Sequence, residues 1–221
     1  MLIISKEKVD DTQYVFGMED HGMEFFQFRG GQPRRSNPSL IVLHWTGGEG
    51  PAAQVFRTLE SRRLGVDFCI DREGNIFQFS DPGRVATSHC GRQNHRAIGI
   101  EIVNYGFRWP SWTRFNARKI PKSANDRIIY ETILHGQRVF VADFYARQRL
   151  STYKLVNTLC KAFDIPIDTP DVDGRMSTFD RNNFKGICGH YHLSKRKLDP
   201  GTRILDDVIL ACRSESYLNQ I

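Results

Sequence analysis

Gly186–Gly201 reads GICGHYHLSKRKLDPG, and the rest of the chain can be organised around it. Ile187 opens a short apolar run of the kind that ends a buried strand. His190 follows directly, and Asp199-Pro200-Gly201 is a strong turn signal. Between them lies a basic loop, Lys195-Arg196-Lys197. A histidine leaving a strand and an acid on the following loop can reach one cation, with Lys197 two residues before the acid. Catalytic zinc needs a third protein ligand and an open coordination position for water. Spacing alone leaves the ligand set open. Cys188, His190 and His192 alternate, so on an extended strand all three would face one side. For any one of these histidines taken singly, a hydrogen-bonded structural role is the commoner reading.

Downstream, Thr202 to Cys212 has helical spacing, with Ile204, Leu205, Val208, Ile209 and Cys212 on one face. Upstream, residues 167–185 are polar loop. Before them, an amphipathic helix is predicted from Asp143, as N-cap, to Phe163. Its apolar face is Tyr145, Thr152, Leu155, Val156, Leu159, Cys160 and Phe163, and Asp164-Ile165-Pro166 stops it. Residues 104–142 read as a long surface excursion with one hairpin near Ile128 to Val141; excursions of that length often act as lids or binding loops.

The other apolar runs complete a βα pattern. Ser39 to His44 (SLIVLH) is a buried strand bounded by Pro38 and Gly47-Gly48. Pro51 suits a first helical position, followed by Ala52, Val55, Phe56 and Leu59 at helical spacing. VDFCI (66–70) and NIFQF (75–79) flank Asp71-Arg72-Glu73-Gly74 as a β-hairpin, and residues 81–91 form a loop carrying His89. AIGIEIV (97–103) is a further buried strand, and a carboxylate such as Glu101 inside so apolar a run needs a partner or a job. His44, His190 and Asp199 therefore fall at or just after strand ends, where sites form in α/β folds. The expected fold is one α/β domain, a central mixed sheet flanked by helices, with the metal site on one rim. Residues 1–37 are expected to form an extension packed on a domain spanning 38–221, and GMEFFQFRGGQPRRSNP in that extension to hold a short strand and a Gly/Pro loop.

Composition bounds the possibilities. A chain of 221 residues suffices for one well-cored domain. A formal charge of +6 admits a polyanionic partner, but the basic residues are scattered rather than gathered with aromatics on one face. No specific nucleic-acid partner is expected. No apolar run has the length of a membrane span, and the start MLIISKEKVDD lacks the features of a signal peptide. Synthesis in the cytoplasm, followed by action on the wall after release or delivery, and a monomeric state are the corresponding expectations. The five cysteines are odd in number and widely spaced, which suits free buried thiols.

Four stretches taken in order carry a resemblance: LHWTGG around His44, VDFCIDREGNIFQF, SHCGRQNHRAIGIEIVN, and GHYHLSKRKLDPG. Together, from about Leu40 to about Gly201, they resemble the zinc-dependent N-acetylmuramoyl-L-alanine amidases, a family that includes phage lysozyme-type amidases, bacterial muropeptide amidases and animal peptidoglycan-recognition proteins. The resemblance implies a peptidoglycan or muropeptide substrate and a Zn²⁺ cofactor held by His44, His190 and Asp199. It implies Glu101 as catalytic base, Lys197 as a catalytic cation, and His89, Trp45 and Asn94 as substrate-binding residues. Asp67 stands where members commonly show histidine, and Val66 where some carry a catalytic tyrosine. A non-catalytic wall-binding module of the same fold is the alternative; it would have lost a ligand or the base.

Overall fold

The computed structural model describes residues 2–5, 7–9, 15–17, 31–108, 127–170 and 180–214. In chain order the strands are β1 (Leu2–Ile4), β2 (Glu7–Val9), β3 (Val15–Gly17), β4 (Gln32–Pro33), β5 (Leu40–Trp45), β6 (Phe68–Ile70), β7 (Ile76–Gln78), β8 (Val85–Ala86), β9 (Ala97–Ile102), β10 (Phe107–Arg108), β11 (Ile129–Leu134), β12 (Gln137–Ala142) and β13 (Gly186–Gly189). The helices are α1 (Ala52–Ser61), α2 (Ala146–Phe163), the short α3 (His190–Leu193) and α4 (Arg203–Arg213).

The central sheet runs β13-β5-β9-β6-β7-β3. β13, β5, β9 and β6 are mutually parallel, and β7 turns back antiparallel to β6 as the expected hairpin. β3 adds to β7 at the far edge, so part of the N-terminal segment joins the sheet. A second, antiparallel sheet, β10-β12-β11, carries the hairpin expected in the 104–142 excursion. The expected short strand before Gly30 and the middle of the excursion lie outside the described residues, whereas the Gly/Pro loop is described from Gly31 and carries β4, which pairs with β8.

Side-chain alternation divides the sheet into two faces. Ile41, Leu43, Ile98, Ile100 and Ile102 pack with Leu155, Val156 and Leu159 of α2 and with Ile204, Leu205 and Val208 of α4 in the largest core cluster. The opposite face carries Leu40, Val42, Ala97 and Cys188, and further along Cys69 packs under α1 with Phe56 and Phe79. Burial of these runs on both sides is what parallel strands between helices require. At about 25 cal/mol per Å² of apolar surface, such burial dominates the stability of the fold. His44 and Glu101 are register partners on the α1 side, two residues beyond Val42 and Gly99, where the apolar run gives way to the rim.

Several boundaries differ from the sequence reading. Pro51 is the N-cap of α1 rather than its first helical residue, and Tyr145 rather than Asp143 caps α2. Gln148 Oε1 accepts the Tyr145 N–H, while Asp143 takes Arg149 and Arg203 in ion pairs. The chain does not continue extended through His192. β13 ends at Gly189, and His190 opens α3. That turn separates the three alternating residues. Cys188 faces the apolar cluster beneath β5, and His192 Nδ1 accepts the Gly189 N–H at 3.1 Å. All five cysteines are free thiols.

Candidate active site

The carboxyl ends of β13, β5 and β9 lie side by side, and each delivers one functional side chain to the same rim. β5 supplies His44, β9 supplies Glu101, and the α3 start after β13 supplies His190. Asp199 returns on the loop that follows α3. The Tyr191 N–H donates to the Asp199 carbonyl at 3.1 Å, which holds this return, and the Asp199–Pro200 peptide is cis. Beyond it, Gly201 has φ +84° and passes so close to Tyr130 that any Cβ there would meet its hydroxyl, so only glycine fits.

His44, His190 and Asp199 each offer a ligand atom, and these atoms lie within 4.8 Å of one another. All three are buried, at 3%, 8% and 7% exposure. Asp199 Oδ2 lies 3.1 Å from His44 Nδ1 and 3.0 Å from His190 Nδ1. Desolvation pushes the Asp199 carboxyl up, but its contacts with the two histidines outweigh this and hold it below the usual carboxylate range. Burial, then the neighbouring His190, lowers His44 to about 4, so its ring is neutral near pH 7.

His89 Nδ1 lies 3.0 Å from His44 Nε2 and braces the His44 ring. Burial, then His44 and His190, holds the His89 imidazole well below its ordinary value. Two imidazoles and one carboxylate converging in this way form a donor set that suits a divalent metal. Gly99 makes room for this arrangement, because a Cβ there would lie 2.9 Å from the His89 ring.

Glu101 stands beside this triad. Its Oε2 is sealed from solvent without a hydrogen-bond partner, and no ion pair holds it among the described residues. The Arg96 guanidinium is engaged elsewhere, with Gln93, Ser39 and the carbonyls of Arg181 and Phe184. Desolvation, then the charge of Asp199, pushes the Glu101 carboxyl well above its ordinary value. An unsatisfied, proton-avid carboxylate of this kind suits proton transfer better than structural support.

A cleft of about 350 Å³ opens over these groups. His44, His89, Glu101, His190, Lys197 and Asp199 line one end, with Trp45 beside them, and Gln54 and Thr58 of α1 with its C-cap Arg62 line the other. Asn94 is not brought to it. Asn94 Oδ1 instead accepts the backbone N–H groups of His89 and Cys90, and so shapes the loop carrying His89. Asp67 and Val66 show what this chain does at the positions that depart from the resemblance. Asp67 is fully buried and accepts hydrogen bonds from Ser80 Oγ, Thr87 Oγ1 and the Gly99 N–H. It ties the hairpin, the His89 loop and β9 together, while Val66 lends an apolar wall to the cleft. The hub at Asp67 and the His89–His44 brace escaped the sequence reading, since neither leaves a periodic or motif signal.

The sequence profile of the N-acetylmuramoyl-L-alanine amidase family matches residues 34–202. The chain belongs to that family. Its reaction is accordingly hydrolysis of the amide joining N-acetylmuramic acid to L-alanine, and the buried His-His-Asp triad is the site available for it. Among curated proteins no sequence match was found. Solved structures share the fold at low identity. The N-acetylmuramoyl-L-alanine amidase LysC from Clostridium intestinale is 15% identical with a TM-score of 0.53, covering 90% of this chain and 97% of its own. The Staphylococcus aureus hydrolase AmiA, solved with its ligand, is 16% identical with a TM-score of 0.51, covering 94% of this chain and 83% of its own. No helix among the described residues is long and apolar enough to cross a membrane.

Proposed function

We propose that this amidase is zinc-dependent, with His44, His190 and Asp199 as the metal ligands, Glu101 as general base and Lys197 as the cation facing the developing oxyanion. The observation that carries the reading is the convergence of three donor atoms of buried residues within 4.8 Å beside a carboxylate whose Oε2 is sealed without a partner. When bound, zinc would acidify a water and polarise the scissile carbonyl. The chain's own groups supply the rest. His44 and His190 present imidazole nitrogens, and Asp199 adds the negative charge that suits a dication. Glu101 takes a proton from the attacking water and returns it to the departing alanine nitrogen. Its desolvation raises its appetite for that proton. Lys197 lines the cleft next to Asp199 and can meet negative charge as it forms on the carbonyl oxygen. His89 holds the His44 ring, and Trp45 forms an apolar shoulder against which substrate can rest.

The substrate is peptidoglycan or a soluble muropeptide. Retention of both the ligand triad and the base supports catalysis over a purely wall-binding role. Metal analysis of three variants tests the ligand set. One zinc per chain is expected in the parent, Cys188→Ser and His192→Ala proteins, and loss of zinc in His44→Ala. Retention by His44→Ala with loss in Cys188→Ser would overturn the assignment, because a site closed by a fourth protein ligand would be structural.

A further inference from the structure

The stretch Thr46–Gly50, TGGEG, joins Trp45 to the start of α1, and Thr46, Gly47, Gly48 and Gly50 all line the cleft. This wall has little of its own to hold it. A Cβ at Gly47 or Gly48 would meet no atom within 4 Å, so both stand in open space. Thr46 and Glu49 alone carry side chains there. The near end is tied by the Thr46 N–H to the Ile102 carbonyl and by a backbone bridge from Gly48 to Asn104, while Thr46 Oγ1 folds back on the Gly48 carbonyl at 2.7 Å. The far end, leading into α1, depends on Glu49.

Glu49 meets Arg127, whose side chain is sealed from solvent. Arg127 Nε and Nη2 donate to the two Glu49 carboxylate oxygens at 3.0 and 3.4 Å, a fork that lysine cannot make. Its Nη1 donates to the Asp143 carbonyl and to Gln148 Oε1, and Nη2 also reaches the Val103 carbonyl. All five guanidinium N–H groups are thereby used. The three latter partners belong to the frame at the ends of β9 and β12 and the start of α2, outside the cleft lining.

We propose that Arg127 is a positioning residue for substrate: through Glu49 it fixes the Thr46–Gly50 wall and so sets substrate affinity without touching substrate or metal. The inference rests on the amidase reading of the cleft. The reacting groups are held independently. His44 and Glu101 are fixed by sheet register, Asp199 by the Tyr191 N–H, and the Val103 carbonyl beyond Glu101 keeps a shorter bond, 2.8 Å, from Gln148 Nε2. Loosening the wall should therefore raise KM and spare kcat, the signature of lost uniform binding.

Steady-state kinetics on a soluble muropeptide, reading released amino termini, would be run beside melts and zinc analysis on Arg127→Met, Glu49→Ala and the double variant. The tether is lost in all three, so each should show KM raised roughly two- to thirtyfold, the range for residues that touch no ligand, with parental kcat and one zinc per chain. Stability should follow a different order. Glu49→Ala strands a buried guanidinium, whereas the double variant does not, so the double variant should melt higher than Glu49→Ala. A pair that is merely structural would let KM recover together with the melting temperature in the double variant, and that result would overturn the proposal. Parental KM in the double variant overturns it equally where a single variant fails to fold. Arg127→Lys, which keeps the charge without the fork, should share the raised KM. Hydrogen exchange reads the wall without turnover: amides of residues 46–50 should exchange faster in the double variant, and those of Leu40–Leu43 as in the parent. If exchange responds in this way while the parent releases no amino termini, the amidase reading fails alone. If the parent hydrolyses muropeptides and the variants keep its KM, the positioning inference fails alone.

Discussion

Glu101→Gln separates chemistry from architecture, because the structure makes opposite forecasts for the two. Glu101 Oε2 is buried without a partner, and no cation pairs with the carboxylate among the described residues. A buried polar group left unsatisfied costs about 1–3 kcal/mol, and more if charged. Glutamine keeps the shape but removes the charge, while its own amide still lacks a partner. The net gain in the metal-free protein should be about 1 kcal/mol at neutral pH, or roughly 2–4 °C in melting temperature for a chain of this size. The sign with pH follows from the raised carboxyl. A native state that holds its proton more tightly than the unfolded chain is favoured at low pH and loses that advantage as pH rises above the ordinary value of 4.5. The gain should therefore vanish below about pH 4.5 and grow above it. With metal bound, the same variant should lose about 10²–10⁴-fold in kcat with little change in KM, the usual cost of losing a general base. Calorimetric melts in chelator across pH, run beside steady-state kinetics, read both quantities. A variant that melts much earlier yet hydrolyses near the parental rate would refute the reasoning, since breaking a buried ion pair costs about 3–5 kcal/mol.

Other residues give independent tests. His89→Ala should weaken zinc affinity about 10–100-fold without removing a ligand, as measured by competition with a chelating dye, because the His44 ring loses the group that orients it. Asp67→Ala strands two hydroxyls and the Gly99 N–H, so a loss of about 3 kcal/mol and a melting point roughly 6–12 °C lower are expected by calorimetry. The kcat/KM profile of the parent should fall on its acid side with a midpoint above 4.5, because desolvation and Asp199 raise the carboxyl that must be ionised to act as base. A stopped-flow or steady-state pH series reads that midpoint, and Glu101→Gln should abolish that limb.

What could be read in the chain and what could not divides along the range of the interactions. The strands at Leu40–Trp45 and Ala97–Ile102 were legible because burial on both faces writes a continuous apolar run. Glu101 stood out for the same reason, as a carboxylate within such a run. The helix α2 was legible from its apolar stripe, though not its first residue, because the cap is set by Gln148 reaching back to Tyr145. The ligand triad was suggested only by the order of several short motifs, since residue spacing cannot show that His44 meets Asp199 across 155 positions. The turn at Gly189 hid the fate of His192, whose alternation with His190 mimics a strand. Arg127 left no signal at all. It is buried, ion-paired with Glu49 and stacked 4.1 Å over the Tyr145 ring, and it ties the base of the β11–β12 hairpin to the glycine loop after β5.

The central claim is that this chain cuts the amide between the lactyl group of N-acetylmuramic acid and L-alanine. Mass spectrometry of digests of purified sacculi and of soluble muropeptides tests it most directly. The expected products are sugars bearing a free lactyl carboxylate and peptides with a new amino-terminal alanine, from one or both substrates, and absent from digests by Glu101→Gln. New reducing sugar ends without new amino termini would contradict the account, since glycan cleavage needs paired carboxylates flanking a glycosidic bond.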